Sequence, residues 1–144
     1  MKWWPARCVS GDMIRVKIGG IWHYGVYVSD DEVIQFGPPP RAEIVQPKDI
    51  VVCSTTMDVF SGGSMVEKAQ LSFCERLKRV PPKKTVAAAR SRIGEGNYNL
   101  LHNNCEHFAS ECVLGVRRSE QEEAARRQWN DYVKNRSASQ QPKA

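Results

Sequence analysis

Long apolar runs are missing from this chain. Nothing in it approaches the roughly 18 consecutive apolar residues that a membrane-spanning helix needs, so no span is expected. No apolar stretch follows the opening Met1-Lys2-Trp3-Trp4-Pro5-Ala6-Arg7, so no secretory leader and a cytoplasmic location are expected. Neither CxxC nor HxxxH spacing occurs, which leaves a structural zinc site without support. Helix-turn-helix and phosphate-cradling glycine patterns are absent, and aromatics do not interleave with the basic cluster. Nucleic acid is therefore not an expected partner, and no metal or organic cofactor is implied. Histidine is scarce, at three residues. The five cysteines, Cys8, Cys53, Cys74, Cys105 and Cys112, are an odd number, so they cannot all pair within one chain. Free thiols in a reducing compartment are the simpler expectation.

What is present suits one soluble globular domain. The chain has 144 residues, of which 41% are hydrophobic and 26% charged. A chain of that length buries about two-thirds of its unfolded surface, enough for a core without staples. The net charge of +5 permits attraction to phosphates without requiring it. The first third reads as β-structure. Ile14, Val16 and Ile18 alternate with Arg15 and Lys17, Gly19-Gly20 turns the chain, and Trp22 to Val28 reads as a second strand. Ser29-Asp30-Asp31 is read as a three-residue turn into a third strand, Glu32 to Phe36, which Gly37-Pro38-Pro39-Pro40 stops. Ile50-Val51-Val52 is a fourth strand.

Beyond Ser61-Gly62-Gly63, Val66, Gln70, Phe73, Leu77 and Val80 have helical spacing, and Ser64 with Glu67 reads as a capping box. A helix is expected there, with a strand over Phe73 to Leu77 as the alternative. Helices are also expected over Thr85 to Ile93, stopped by Gly94, and over Cys105 to Leu114, stopped by Gly115. The second of these carries Cys105, Phe108, Ala109, Cys112 and Val113 on one face. Ser119 with Glu122 opens a last helix that shows Ala125, Trp129, Tyr132 and Val133 in a stripe, and Ser137 to Ala144 reads as a frayed tail.

Chemistry narrows to a thiol and an imidazole. Cys105 stands at the start of a helix, where unpaired N–H groups favour a thiolate and a lowered pKa. Cys112 falls mid-helix on the apolar face and reads as buried and inert, and Cys53 and Cys74 read as packing. For the base, the three-residue turn places position 25 opposite 35 and 23 opposite 37. His23 and Gln35 then share a sheet face as diagonal neighbours, about 7–8 Å apart at Cα. His23 would take the thiol proton while Gln35 fixes the tautomer of its ring. His107, on the same helix as Cys105, is expected to bond to backbone or neighbouring side chains, and His102 to be solvated. Set against all this, a cysteine and a histidine are more often structural than catalytic. The basic stretch Arg76, Lys78, Arg79, Lys83, Lys84 reads first as a solvated face and second as a contact for anionic headgroups.

These residues also form a known pattern. Gly11-Asp12-Met13-Ile14 leads into His23-Tyr24-Gly25-Val26-Tyr27-Val28, followed by Tyr98-Asn99-Leu100, Asn104-Cys105-Glu106-His107-Phe108 and Gly115-Val116-Arg117-Arg118-Ser119-Glu120-Gln121. Over roughly residues 9–121 the chain resembles the lecithin retinol acyltransferase-like family, which includes the HRAS-like suppressor phospholipase/acyltransferases, within the NlpC-type papain-like superfamily. The resemblance implies an α+β, circularly permuted papain-like fold, with an antiparallel sheet packed against helices. It implies Cys105 as nucleophile, His23 as base and position 35 as the third polar member. Animal members carry a second histidine where this chain has Gln35, and a tyrosine that aids the oxyanion where it has Ile21.

The expected layout is a lecithin retinol acyltransferase-like domain over 1–115, an amphipathic helix over 116–136 on or beside it, and a flexible tail over 137–144. The leading functional reading is a thiol acyltransferase/hydrolase. It would act on phospholipid or related acyl esters through a Cys105 thioester. Its partners would be an acyl-lipid or small ester or amide substrate, with peripheral contact to an anionic membrane surface. The alternatives are an NlpC-type cysteine peptidase or amidase and a non-catalytic interaction module on the same fold.

Overall fold

A computed structural model describes residues 1–37, 50–99, 104–116 and 120–139. Among the described residues six strands form one antiparallel sheet: β1 (Lys2–Trp4), β2 (Met13–Ile18), β3 (Ile21–Ser29), β4 (Glu32–Gly37), β5 (Val51–Thr55) and β6 (Val66–Gln70). Their spatial order is β1-β6-β2-β3-β4-β5. The helices are α1 (Met57–Ser61), α2 (Phe73–Lys78), α3 (Pro82–Ser91), α4 (Cys105–Leu114) and α5 (Glu120–Ser139). An α+β architecture with an antiparallel sheet packed against helices is thus observed. His102, Asn103, Leu100 and the Ser119 cap lie outside the described residues, as do prolines 38–40.

Side-chain alternation along the strands sorts the core into two layers. Tyr24, Val26, Ile34, Phe36 and Val52 face α4, where Phe108, Ala109, Cys112 and Val113 meet them. Ile14, Val16, Tyr27 and Val33 form the opposite face, closed by Phe60 of α1. Since β4 is covered on both faces, its run Val33-Ile34-Gln35-Phe36 buries every residue, the glutamine included.

The β2–β3 turn matches its reading, with Gly19 and Gly20 at φ +56° and +84°, values that side-chain-bearing residues seldom adopt. The β3–β4 turn does not. Ser29 pairs with Glu32, so the loop has two residues, Asp30 and Asp31, and the ladder shifts between Tyr27 and Ser29. That extra residue, Val28, is a β-bulge. It restores the register that a three-residue turn would have set, so Gly25 still faces Gln35.

The helix expected over 66–80 is absent. Residues 66–70 form β6, inserted between β1 and β2. The operative cap is Ser72 with Glu75, not Ser64 with Glu67: Ser72 Oγ accepts from Glu75 N–H, and the Glu75 carboxylate accepts from Ser72 N–H. Tertiary pairing on both edges of β6 overrides a helical spacing whose members split between two elements. α3 begins at Pro82 rather than Thr85, because proline suits the first helical position, where no N–H is needed. The segment that follows it hydrogen-bonds to β5 through Gly94 N–H to Val52 O and Val52 N–H to Glu95 O. β1, which the sequence reading left unassigned, pairs Trp3 with Ala69.

Candidate active site

Helix α4 is nucleated by side chains at its first turn. Asn104 is extended, at φ −113° and ψ −179°, and its Oδ1 accepts from the N–H groups of Glu106 (3.0 Å) and His107 (3.1 Å). His107 returns the bond, its Nδ1 accepting from Asn104 N–H at 3.2 Å. This is a capping box with histidine in the usual glutamate place. It consumes His107 structurally and leaves Cys105 at the first helical position.

Cys105 is only 7% exposed. Burial pushes its thiol up to about 11, and the nearby Glu106 carboxylate adds to the rise. The N–H groups of Tyr24, Glu106 and Cys105 itself lie against the sulfur and pull the other way. The lowered pKa expected from the helix end is therefore corrected. The donors are present, but removing a thiolate from water costs more than they return.

His23 sits on β3 one residue before Tyr24. Its Nε2 is 2.7 Å from Gln35 Oε1. An amide oxygen can only accept, so Nε2 carries the hydrogen and Nδ1 holds the lone pair. Gln35 is oriented in turn, since its Nε2 donates to Cys53 Sγ at 3.7 Å. The ring packs on Phe60, with centroids 5.2 Å apart. Its other neighbour is Gly37, the position facing it across the ladder, where a Cβ would lie 2.6 Å from His23 Cε1. Burial lowers the His23 pKa, and the Gln35 bond opposes that shift. The resting ring is neutral at neutral pH.

The structure therefore joins His23 to Gln35 directly. It sets Cys105 against the backbone N–H of the residue next to His23. The thiol thus reaches the strand beside the ring, while the ring itself is held by Gln35, Phe60 and Gly37. Three further residues belong to the site. Cys53, read as packing, anchors Gln35, while Phe60 and Gly37 seat the ring. Gly37 carried a signal in the alternation, since it faces position 23, whereas Phe60 left none. Cys112 is buried as expected, but Cys74 is exposed rather than packed. Among the described residues no three of His, Cys, Asp and Glu gather to hold a metal ion, and no helix is long and apolar enough to cross a membrane.

A family model described as lecithin retinol acyltransferase matches residues 6–118, a span that holds His23, Gln35 and Cys105. The chain belongs to the lecithin retinol acyltransferase family. It is 31% identical over 120 residues to rat "Phospholipase A and acyltransferase 5", covering 78% of this chain and 41% of that one. It is 26% identical over 134 residues to mouse "Lecithin retinol acyltransferase", covering 80% and 58%. It is 28% identical over 120 residues to human "Phospholipase A and acyltransferase 2", covering 77% and 74%. The chain thus spans less than two-thirds of the first two relatives and about three-quarters of the third.

Proposed function

We propose that this chain is a thiol acyltransferase/hydrolase acting on phospholipid or related acyl esters, with the permuted papain-like order of histidine strand before cysteine helix. The observation that carries the reading is the half-buried His23–Gln35 hydrogen bond, which leaves the Nδ1 lone pair free on a ring beside the strand backbone that Cys105 touches. Thiol and imidazole both rest uncharged. As the ester binds, Nδ1 of His23 takes the thiol proton and the sulfur bonds to the carbonyl carbon. The tetrahedral intermediate then expels the alcohol, which leaves with the proton from the imidazolium. Water or a second acceptor attacks the thioester, gives a proton to Nδ1 and releases the acyl group with restoration of the thiol.

Gln35 holds the tautomer throughout, as an amide can, without supplying charge. Ile21 is 58% exposed and has no donor for an oxyanion. The backbone N–H groups of Cys105 and Tyr24, which lie against the sulfur, are what this chain offers instead. Five free thiols suit a cytoplasmic enzyme. Residues 1–115 would form its catalytic unit, with the helix and tail beyond appended to it.

The test is turnover of a monomeric short-chain ester, with intact-mass detection of the acyl-enzyme. Cys105→Ala and His23→Ala should each abolish turnover, and only the native protein should gain an acyl mass. Hydrolysis retained by Cys105→Ala would end the proposal. An adduct formed from a peptide substrate and not from an ester would shift it to the amidase reading. One observation favours a non-catalytic module: the high thiol pKa. A native protein that forms no acyl adduct with either substrate would decide for that.

A further inference from the structure

Helix α2 is built inside out. Ser72 and Glu75 fix its first turn through their reciprocal bonds. Glu75, the one acidic residue between positions 72 and 92, turns inward, where the Met1 ammonium meets its carboxylate at 3.3 Å. The face opposite Glu75 carries Phe73 and Leu77, one turn apart, and these are 71% and 73% exposed. A helix that buries its charge and presents its two largest apolar side chains to water gains nothing from that arrangement in isolation. Trp4 of β1 is also exposed, and it shares a groove with Leu71, Arg76 and Arg79.

Cations flank this apolar face along the chain. Arg76 and Lys78 stand on α2 itself, and Lys83 and Lys84 follow at the second and third positions of α3, all of them exposed. Lysines at a helix N-terminus oppose the helix dipole, and the first turn of α3 has no acidic residue to offset them. Both features that weaken the folded protein alone, the outward Phe73 and Leu77 and the misplaced lysines, become favourable beside a surface that is negative outside and apolar beneath. Met1, Trp3 and Leu71 carry the connection inward, packing on the same core cluster as Cys105.

We propose that α2 and the start of α3 dock the protein on anionic phospholipid bilayers, with Phe73 and Leu77 entering the headgroup boundary and the flanking cations meeting phosphate and carboxylate. This extends the acyl-ester reading, in which the enzyme must sit where its donor lies.

The test uses the full chain and sucrose-loaded vesicles, either of phosphatidylcholine alone or of phosphatidylcholine with phosphatidylserine. Two double variants, Phe73→Ser/Leu77→Ser and Lys83→Glu/Lys84→Glu, are compared with native. Native protein should pellet with the mixed vesicles, less so as salt rises and little with the neutral ones. Each double variant should lower that partitioning by ~10-fold or more. Both should be at least as stable as native and turn over a monomeric ester at the native rate. Equal pelleting of native and variants, or none by native, overturns the proposal. So does a native dimer in analytical ultracentrifugation that Phe73→Ser/Leu77→Ser dissolves, since that face would then take a second copy. Failure of native to turn over the monomeric ester strikes the acyl-ester reading alone and leaves the vesicle result standing.

Discussion

Replacing Gly37 with alanine is the sharpest probe of the histidine's seat. The glycine faces His23 across the β3–β4 ladder, at a φ that any residue can adopt, so the effect is purely steric. The new methyl would stand 2.6 Å from Cε1, 3.4 Å from Nδ1 and 3.5 Å from Nε2 of the ring. Carbon atoms in ordinary contact sit about 3.5–4.0 Å apart, so the ring must retreat by about 1 Å. That displacement stretches the 2.7 Å bond to Gln35. At about 3.6 Å it no longer holds the tautomer. A misplacement of this size costs about 10²-fold in rate, and the overpacking ~1–3 kcal/mol in stability. Turnover of a monomeric ester, urea unfolding and the ¹⁵N chemical shifts of His23 would be read together. Gly96→Ala, where a methyl meets nothing within 4 Å, is the control. A folded Gly37→Ala protein with native turnover would refute the argument that a ring held by Gln35 is the base.

Three further outcomes follow from the site. With the Cys105 thiol at about 11, alkylation by iodoacetamide should keep accelerating well above neutral pH; a rate that levels off below pH 8 would show a preformed thiolate and contradict the burial argument. Because burial lowers the His23 pKa below 6.5, the unfolded chain binds the extra proton more readily. The His23 contribution to stability is then complete above pH 6.5 and lost as pH falls below it, so the urea midpoint should drop between pH 7 and pH 5, and drop less in His23→Gln. Asn104→Ala removes an oxygen that accepts two N–H bonds at a buried helix start. It should cost ~1–2 kcal/mol, which Asn104→Asp should largely return, and equal midpoints for native and Asn104→Ala would contradict the capping role.

Much of this was legible where one local rule governs. Cys105 to Leu114 was bounded correctly because a cap, an apolar face and a glycine stop agree there. The β3–β4 register was also read correctly, though for a different reason: a two-residue turn and a bulge at Val28 together give the offset of a longer turn. Spacing cannot separate those two routes. The region after Gly63 failed because its periodicity joined residues of β6 and α2, and only pairing with β1 and β2, remote in sequence, divides them. The thiol's pKa direction was out of reach as well. Helix-end donors are visible in a sequence, but the burial that outweighs them depends on the tertiary core that Cys105 joins with residues as remote as Tyr24 and Val52.

The bulge at Val28 has a consequence for how this hairpin can vary. Draw Val28 into the ladder opposite Val33, keep the turn, and every position on the His23 side slips by one: Tyr24 would swing out of its layer and the imidazole would part from its amide partner. Deleting Val28 outright would instead leave Tyr27 opposite Val33 and Gly25 opposite Gln35. The hairpin should therefore tolerate loss of that one residue, whereas a substitution that straightens the strand through it would separate two side chains that must meet.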